Sequence, residues 1–302
     1  MTRQNSAVSC GQEAMRNIYL AAHRVWVKLS EDWIKATRRD SISMKKALLA
    51  MLTIAAMSNA NVSTAQDAAA QANNPLAKIQ ALNLQNYYIG ALTGDSDATA
   101  NQFVIRYAKP LSVGESTWLM RVSVPVNTLP VGTDMNDVTD LGDISIFAAY
   151  LFESANPDIS FAIGPQIVAP TAQDDRLGND QWQLGIANVY FNATSSKFQY
   201  GYLLTYQNGV GDTNGRERVK LAAVQPFAFY QLGQGWYTGG APLWTFDLNN
   251  GDYSMPLGLR LGKVIKANDT VYNMFVEPQY NIAHEGIGQP EWQIYFALNM
   301  QF

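Results

Sequence analysis

Five charged side chains stand singly among otherwise uncharged alternating residues: Arg106, Arg121, Asp143, Arg260 and Glu277. Arg106 lies between Val104 and Ala108, Arg121 between Leu119 and Ser123, and Arg260 between Gly258 and Gly262. Isolated charges of both signs on one face can do two things. They can ring a narrow passage and select solutes by charge, or they can pair across it and fill it; pairing is the reading the sequence favours. Two acidic clusters, Asp134, Asp137 and Asp140, then Asp174, Asp175 and Asp180, raise the question of a divalent cation. A dedicated calcium loop arranges its oxygen ligands around a glycine turn, and neither cluster does so. Both read as solvated charge, or as weak cation bridges to lipopolysaccharide. His284 beside Glu285 is the remaining acid–base candidate. No Gly-x-Ser-x-Gly elbow accompanies it, and a single histidine without a nucleophile partner is weak ground for hydrolysis. One cysteine, Cys10, excludes a disulfide framework and a multi-cysteine zinc site. The sequence therefore predicts no catalytic residue, metal or cofactor.

The elements that must position these charges are strands. Trp292, Ile294, Phe296, Leu298, Met300 and Phe302 share one face, against Gln293, Tyr295, Ala297, Asn299 and Gln301 on the other. The same period of two separates Trp118, Met120, Val122, Val124 and Val126 from Leu119, Arg121, Ser123 and Pro125. About twelve such stretches follow one another: near 82–91, 102–110, 116–129, 141–152, 158–169, 181–192, 197–207, 218–231, 236–248, 253–265, 270–283 and 291–302. Connections near 92–101, 130–140, 170–180, 208–217, 249–252 and 284–290 are mostly long and polar, and those between them are short. Alternating long and short loops, with an even strand number, are the pattern of an outer-membrane barrel.

Composition separates that reading from a soluble β-protein. Only 15% of the 302 residues are charged, against about 25% in an average soluble domain, and the polar faces carry Gln, Asn, Ser, Thr and Gly. The apolar faces carry aromatics near their ends, at Trp118, Tyr150, Phe152, Tyr190, Trp244, Phe246 and Trp292, as interfacial girdles require. An arginine on the lipid face near the midplane costs about 2–4 kcal/mol, so the five isolated charges are expected to line the lumen. The predicted fold is an all-β, antiparallel, transmembrane outer-membrane β-barrel over 82–302.

The first 81 residues divide differently. Met44-Lys45-Lys46, the apolar run Ala47 to Met57 and the small-residue exit to Ala65 have the layout of a secretory signal over 44–65, with Ala60 the second choice of cleavage site. Residues 1–43 read as an upstream, non-native start, and 66–81 as a lead-in with a lumen plug as the alternative. Residues 66–302 hold 12 Lys+Arg against 21 Asp+Glu, a net charge of −9, which repels phosphate backbones and excludes nucleic acid as a partner.

Several segments resemble a bacterial outer-membrane family often labelled "neuromedin U", a misnomer, or simply "transporter". It is related to the barrel proteins named after the meta-pathway of phenol degradation. The matching residues are Gly164-Pro165, Pro170-Thr171-Ala172, Asp174-Asp175, Leu177-Gly178 and Trp182-Gln183 with Gly185. Gly235-Trp236-Tyr237, Pro256-Leu257-Gly258, Gly262-Lys263, Gln279-Tyr280, Glu291-Trp292-Gln293, and Asn74-Pro75 with Gln85-Asn86 continue the likeness over roughly Asn74 to Phe302. Gln181 replaces a usual basic residue, and Arg260 a small one. The resemblance implies an outer-membrane channel or transporter that passes small molecules passively, with aromatic or hydrophobic compounds suggested for relatives. A closed structural or surface-interaction barrel is the alternative, with an outer-membrane hydrolase behind it. Expected partners are outer-membrane lipid and lipopolysaccharide, a small-molecule solute, and the barrel-assembly machinery, through the last strand ending in Phe302.

Overall fold

Among the described residues every strand except Asn136–Leu141 hydrogen-bonds to a neighbour on each side, and the sheet closes on itself. The structure, a computed structural model, describes residues 71–131 and 136–302, all within one compact unit, Ala60–Phe302. The upstream start, the signal, the beginning of the lead-in and Asp134 lie outside the described residues. The strands are β1 (Ala81–Leu92), β2 (Ala100–Val113), β3 (Ser116–Val131), β4 (Asn136–Leu141), β5 (Ile144–Phe152), β6 (Ile159–Ala169), β7 (Trp182–Asn192) and β8 (Phe198–Val210). They continue with β9 (Lys220–Gly233), β10 (Trp236–Gly240), β11 (Trp244–Asp247), β12 (Tyr253–Gly258), β13 (Arg260–Ala267), β14 (Thr270–Glu285) and β15 (Pro290–Gln301).

Three pairs of these segments are halves of single staves. β4 and β5 both pair with β3, β10 and β11 both with β9, and β12 and β13 both with β14. The fifteen segments therefore make the twelve staves of an antiparallel barrel. It closes where β1 meets β15, in register from Ala81↔Gln301 to Leu92↔Pro290. Removing edges in this way satisfies backbone groups that hydrocarbon cannot.

Alternation decides which face each residue takes. On β15, Ile294, Phe296, Leu298 and Met300 face outward, while Tyr295 and Ala297 belong to the buried interior. Outward-facing Ile105, Ile146, Ile167, Leu184, Ile186, Leu204, Leu261 and Ile282 are all exposed, a contiguous apolar belt that water would penalise and lipid accommodates. Aromatics gather at both ends of this belt. Trp118, Tyr150, Phe152 and Phe161 form a chain of rings 4.8–5.6 Å apart near the short turns, and Tyr88–Trp292 and Phe246–Tyr253 lie near the long loops. The Lys263 side chain donates to the Gln234 carbonyl at 2.6 Å and rests over Trp236, reaching past the apolar belt as amphipathic side chains do.

Short turns and both ends of the barrel sequence share one end. Tight reversals there need left-handed backbone, supplied at Gln234-Gly235 with φ of 51° and 78°. At the other end the stretch near 130–140, expected as a loop, is largely strand: β3 and β4 pair from Val126↔Leu141 to Val131↔Asn136. Leu129 faces Val138 and Thr128 bonds Thr139 across this hairpin, so its own alternation extends the ladder.

One place in the wall is irregular. Pairing between β10 and β13 stops at Gly239↔Arg260, and β11 meets β12 only at Thr245↔Ser254 and Phe246↔Tyr253. Pro242 has no N–H to give to a ladder, and the Ala241 N–H turns inward to Glu277. The Trp244 indole N–H spans the interruption to the Pro256 carbonyl at 3.0 Å. Nearby, Gly262 is required because Tyr237 lies opposite it in register and its ring occupies the space a Cβ would take.

Candidate functional site: the barrel lumen

The lumen is not empty at its short-turn half. Ala72 packs with Tyr87, Phe229, Phe275 and Tyr295, and Leu76 packs with Leu119, Phe147, Ala162 and Val189. All of these line the interior by strand parity. Asn273 Nδ2 donates to the Ala72 carbonyl at 3.2 Å and to Asn73 Oδ1 at 2.9 Å. Residues 71–80, expected as a lead-in with a plug as the alternative, are thus folded into the barrel. Leu76 is 2% exposed, and burying a leucine side chain is worth about 1.5–3 kcal/mol, enough to hold a short segment against an apolar wall.

Glu277, on β14, is the hub of the polar interior. It accepts from Arg260 Nε at 2.6 Å, from the Ala241 N–H at 3.0 Å and from Gln279 Nε2 at 2.7 Å. The Arg260 guanidinium lies 3.5 Å from the centroid of Phe275, with Phe229 and Tyr295 further out. Side-chain exposure is 6% for Arg260 and 0% for Glu277, so this pair is desolvated and stands only because its bonds are supplied. It fills the lumen wall beside the interruption in the sheet.

Arg106 and Arg121 are placed together but not paired with acid. Arg106 stands opposite Ser123 and Arg121 opposite Ala108, which makes the two arginines diagonal neighbours on the lumen face. Among the described residues neither has a carboxylate within ion-pair reach, and the Nε of each is buried without a hydrogen-bond partner. Arg121 lies 4.2 Å from the centroid of Phe147. Both arginines border a cavity of about 150 Å³ that also touches Asn73, Pro75, Phe227, Phe275 and Tyr295.

Asp143 is elsewhere. Its carboxylate accepts from the backbone N–H groups of Thr171 and Ala172 at 3.2 Å and of Asn179 at 2.8 Å. A short carboxylate at the β4–β5 break is well placed to collect such donors, and it pins the 170–181 loop rather than joining a charged ring with the arginines. Leu177 of that loop is buried, and its carbonyl accepts from lumen-facing Asn127. Gln181 donates to the Glu217 carbonyl and accepts from the Val219 N–H, and Arg216 donates to the Gly178 and Asp175 carbonyls. The neutral residue standing in for a basic one is therefore a stitch between two long loops. Arg176 bonds Asp174 and holds its carboxyl down to about 2. Asp180 accepts from Asn214. His284 and Glu285 are exposed at the end of β14, and no group of three metal-ligating side chains occurs among the described residues.

Sequence reading missed the aromatic wall. Tyr87 stacks on Tyr295 at 4.1 Å, Tyr295 meets Phe275 edge-on at 4.9 Å, and Phe227 and Phe229 continue the cluster to Phe191 and Tyr237. The signal was present, because Phe227 and Phe229 share the parity of Gln225 and Gln231. An inward face judged polar by its majority concealed them.

A closed twelve-stave barrel with an apolar exterior, aromatic ends and a charged, partly filled lumen defines the class: an outer-membrane-type β-barrel. Residues 68–223, more than half of the chain, match the family described as the MetA-pathway of phenol degradation, and the chain belongs to that family. Its fold is similar to that of an outer membrane channel from Pseudomonas putida F1, with a TM-score of 0.59, 13% identity, and coverage of 74% of this chain and 94% of that one. Looser likenesses are the NanC porin (TM-score 0.47, 10% identity, 73% and 98% covered) and the CymD monoaromatic hydrocarbon channel (0.40, 9%, 81% and 93%). No curated protein matches the sequence.

Proposed function

We infer that this protein is an outer-membrane channel through which small molecules pass down their gradients. The observation that carries the reading is the pairing of a lipid-type exterior with an interior where two arginines and an aromatic wall border a cavity. A barrel built only to be closed has no use for uncompensated charge in its lumen. The short turns face the periplasm and the long loops the outside, after export by a cleaved signal over 44–65. The loops meet lipopolysaccharide, and the Phe302 end engages the assembly machinery. Aromatic or hydrophobic solutes fit the lumen wall, in keeping with the narrower resemblance to the "neuromedin U" group. The protein has no catalytic role.

Residues 71–80 favour one competing reading, a barrel sealed for a structural or surface-interaction role. Solute flux separates the two. Liposomes carrying the purified full chain, challenged with an isosmotic small solute, are expected to swell faster than liposomes without protein. Equal swelling rates, with the barrel shown folded by its heat-modifiable gel migration, would favour the sealed barrel.

A further inference from the structure

We propose that Arg106, Arg121 and the facing aromatic rings form a binding site for one small carboxylate with an aromatic body. The proposal rests on the channel reading and adds a ligand class to it. Three arginines border the cavity, yet only Arg260 has an acid, Glu277, at 2.6 Å. Arg106 and Arg121 are diagonal neighbours on one face, and like charges so placed repel. Each Nε is buried without a protein partner. A guanidinium offers five fixed donors that match a carboxylate edge, so a bound carboxylate relieves the repulsion and supplies the missing acceptors together.

The remainder of the cavity selects the ligand's body. Phe227, Phe275 and Tyr295 border the same space, and its volume of about 150 Å³ is that of a cavity known to admit a benzene-sized molecule. Neutral hydrocarbons would leave the guanidinium donors unmet, and acetate would leave the rings uncovered. The recognised chemistry is therefore a carboxylate on a single ring.

Equilibrium dialysis of labelled benzoate against the purified full chain in detergent tests this without requiring transport. Saturable binding of one benzoate per barrel is expected, weakened about ten- to a hundredfold in Arg106→Gln and Arg121→Gln. Partial recovery is expected in Arg121→Lys. Toluene and acetate should compete far less well than benzoate itself. No saturable binding, unchanged affinity in the double Arg106→Gln/Arg121→Gln barrel, or acetate competing equally would overturn the site. Heat-modifiable migration confirms that each variant is folded. The liposome assay stands apart: a barrel that conducts solute without binding benzoate loses this site and keeps its channel, and a barrel that binds benzoate without flux loses the channel alone.

Discussion

The most consequential residue contact is the Arg260–Glu277 pair, because both members are buried and each has further partners. Removing one member of such a pair leaves an unpaired charge, at a cost of about 3–5 kcal/mol. Glu277→Ala is therefore expected to lower the urea midpoint of unfolding in detergent far more than Asp174→Ala, whose partner is exposed. An unchanged midpoint in Glu277→Ala would contradict the hub described here. The exposed Asp174–Arg176 contact makes a prediction in pH. Its carboxyl is held down to about 2 by Arg176, so the contribution is present above the ordinary carboxylate range and disappears as pH falls through about 2. Carboxyl chemical shifts followed from pH 6 downward should show Asp174 titrating at about 2; titration near 4 would show that the contact is not formed.

Among the elements, the 170–181 loop takes three of its backbone hydrogen bonds from one side chain. Asp143 gathers three backbone donors from it, and Asp143→Ala leaves those groups to water. Limited proteolysis should then cut within 170–181 more rapidly, while the barrel keeps its heat-modifiable migration. Equal cutting in both proteins would mean that the loop is held by Gln181 and Arg216 alone. Strands were legible for a physical reason: each has one face in lipid, so residues such as Trp292 to Met300 alternate strictly. The interruptions were less legible. Pro242 breaks the ladder by lacking an N–H, but nothing nearby in sequence indicates that Ala241 will donate to Glu277, a partner 36 residues away. The β3–β4 hairpin was read as a loop because its acidic outer residues outweighed the pairing of Leu129 with Val138. Parity alone gives no sign that the Asp143 carboxylate, at a strand break, collects three backbone N–H groups of the 170–181 loop.

For the whole molecule, the lumen was half legible. Parity puts Arg106, Arg121, Arg260 and Glu277 on one face; the three arginines border one interior space and Glu277 pairs with Arg260 alone. The aromatic wall and the inserted segment 71–80 escaped, because both depend on contacts around the circumference of a closed sheet rather than on local periodicity. Ala72 and Leu76 look helix-tolerant or unstructured until Tyr295 and Leu119 are brought opposite them. Ala72 and Leu76 pack in the interior clusters, and current through a single barrel tests whether the segment narrows a passage. In a planar bilayer the full chain should show small, discrete openings, and the same chain lacking residues 72–79 should show conductance steps several-fold larger. A heat-modifiable, folded barrel that gives no steps in either form would contradict the account of this protein as a channel.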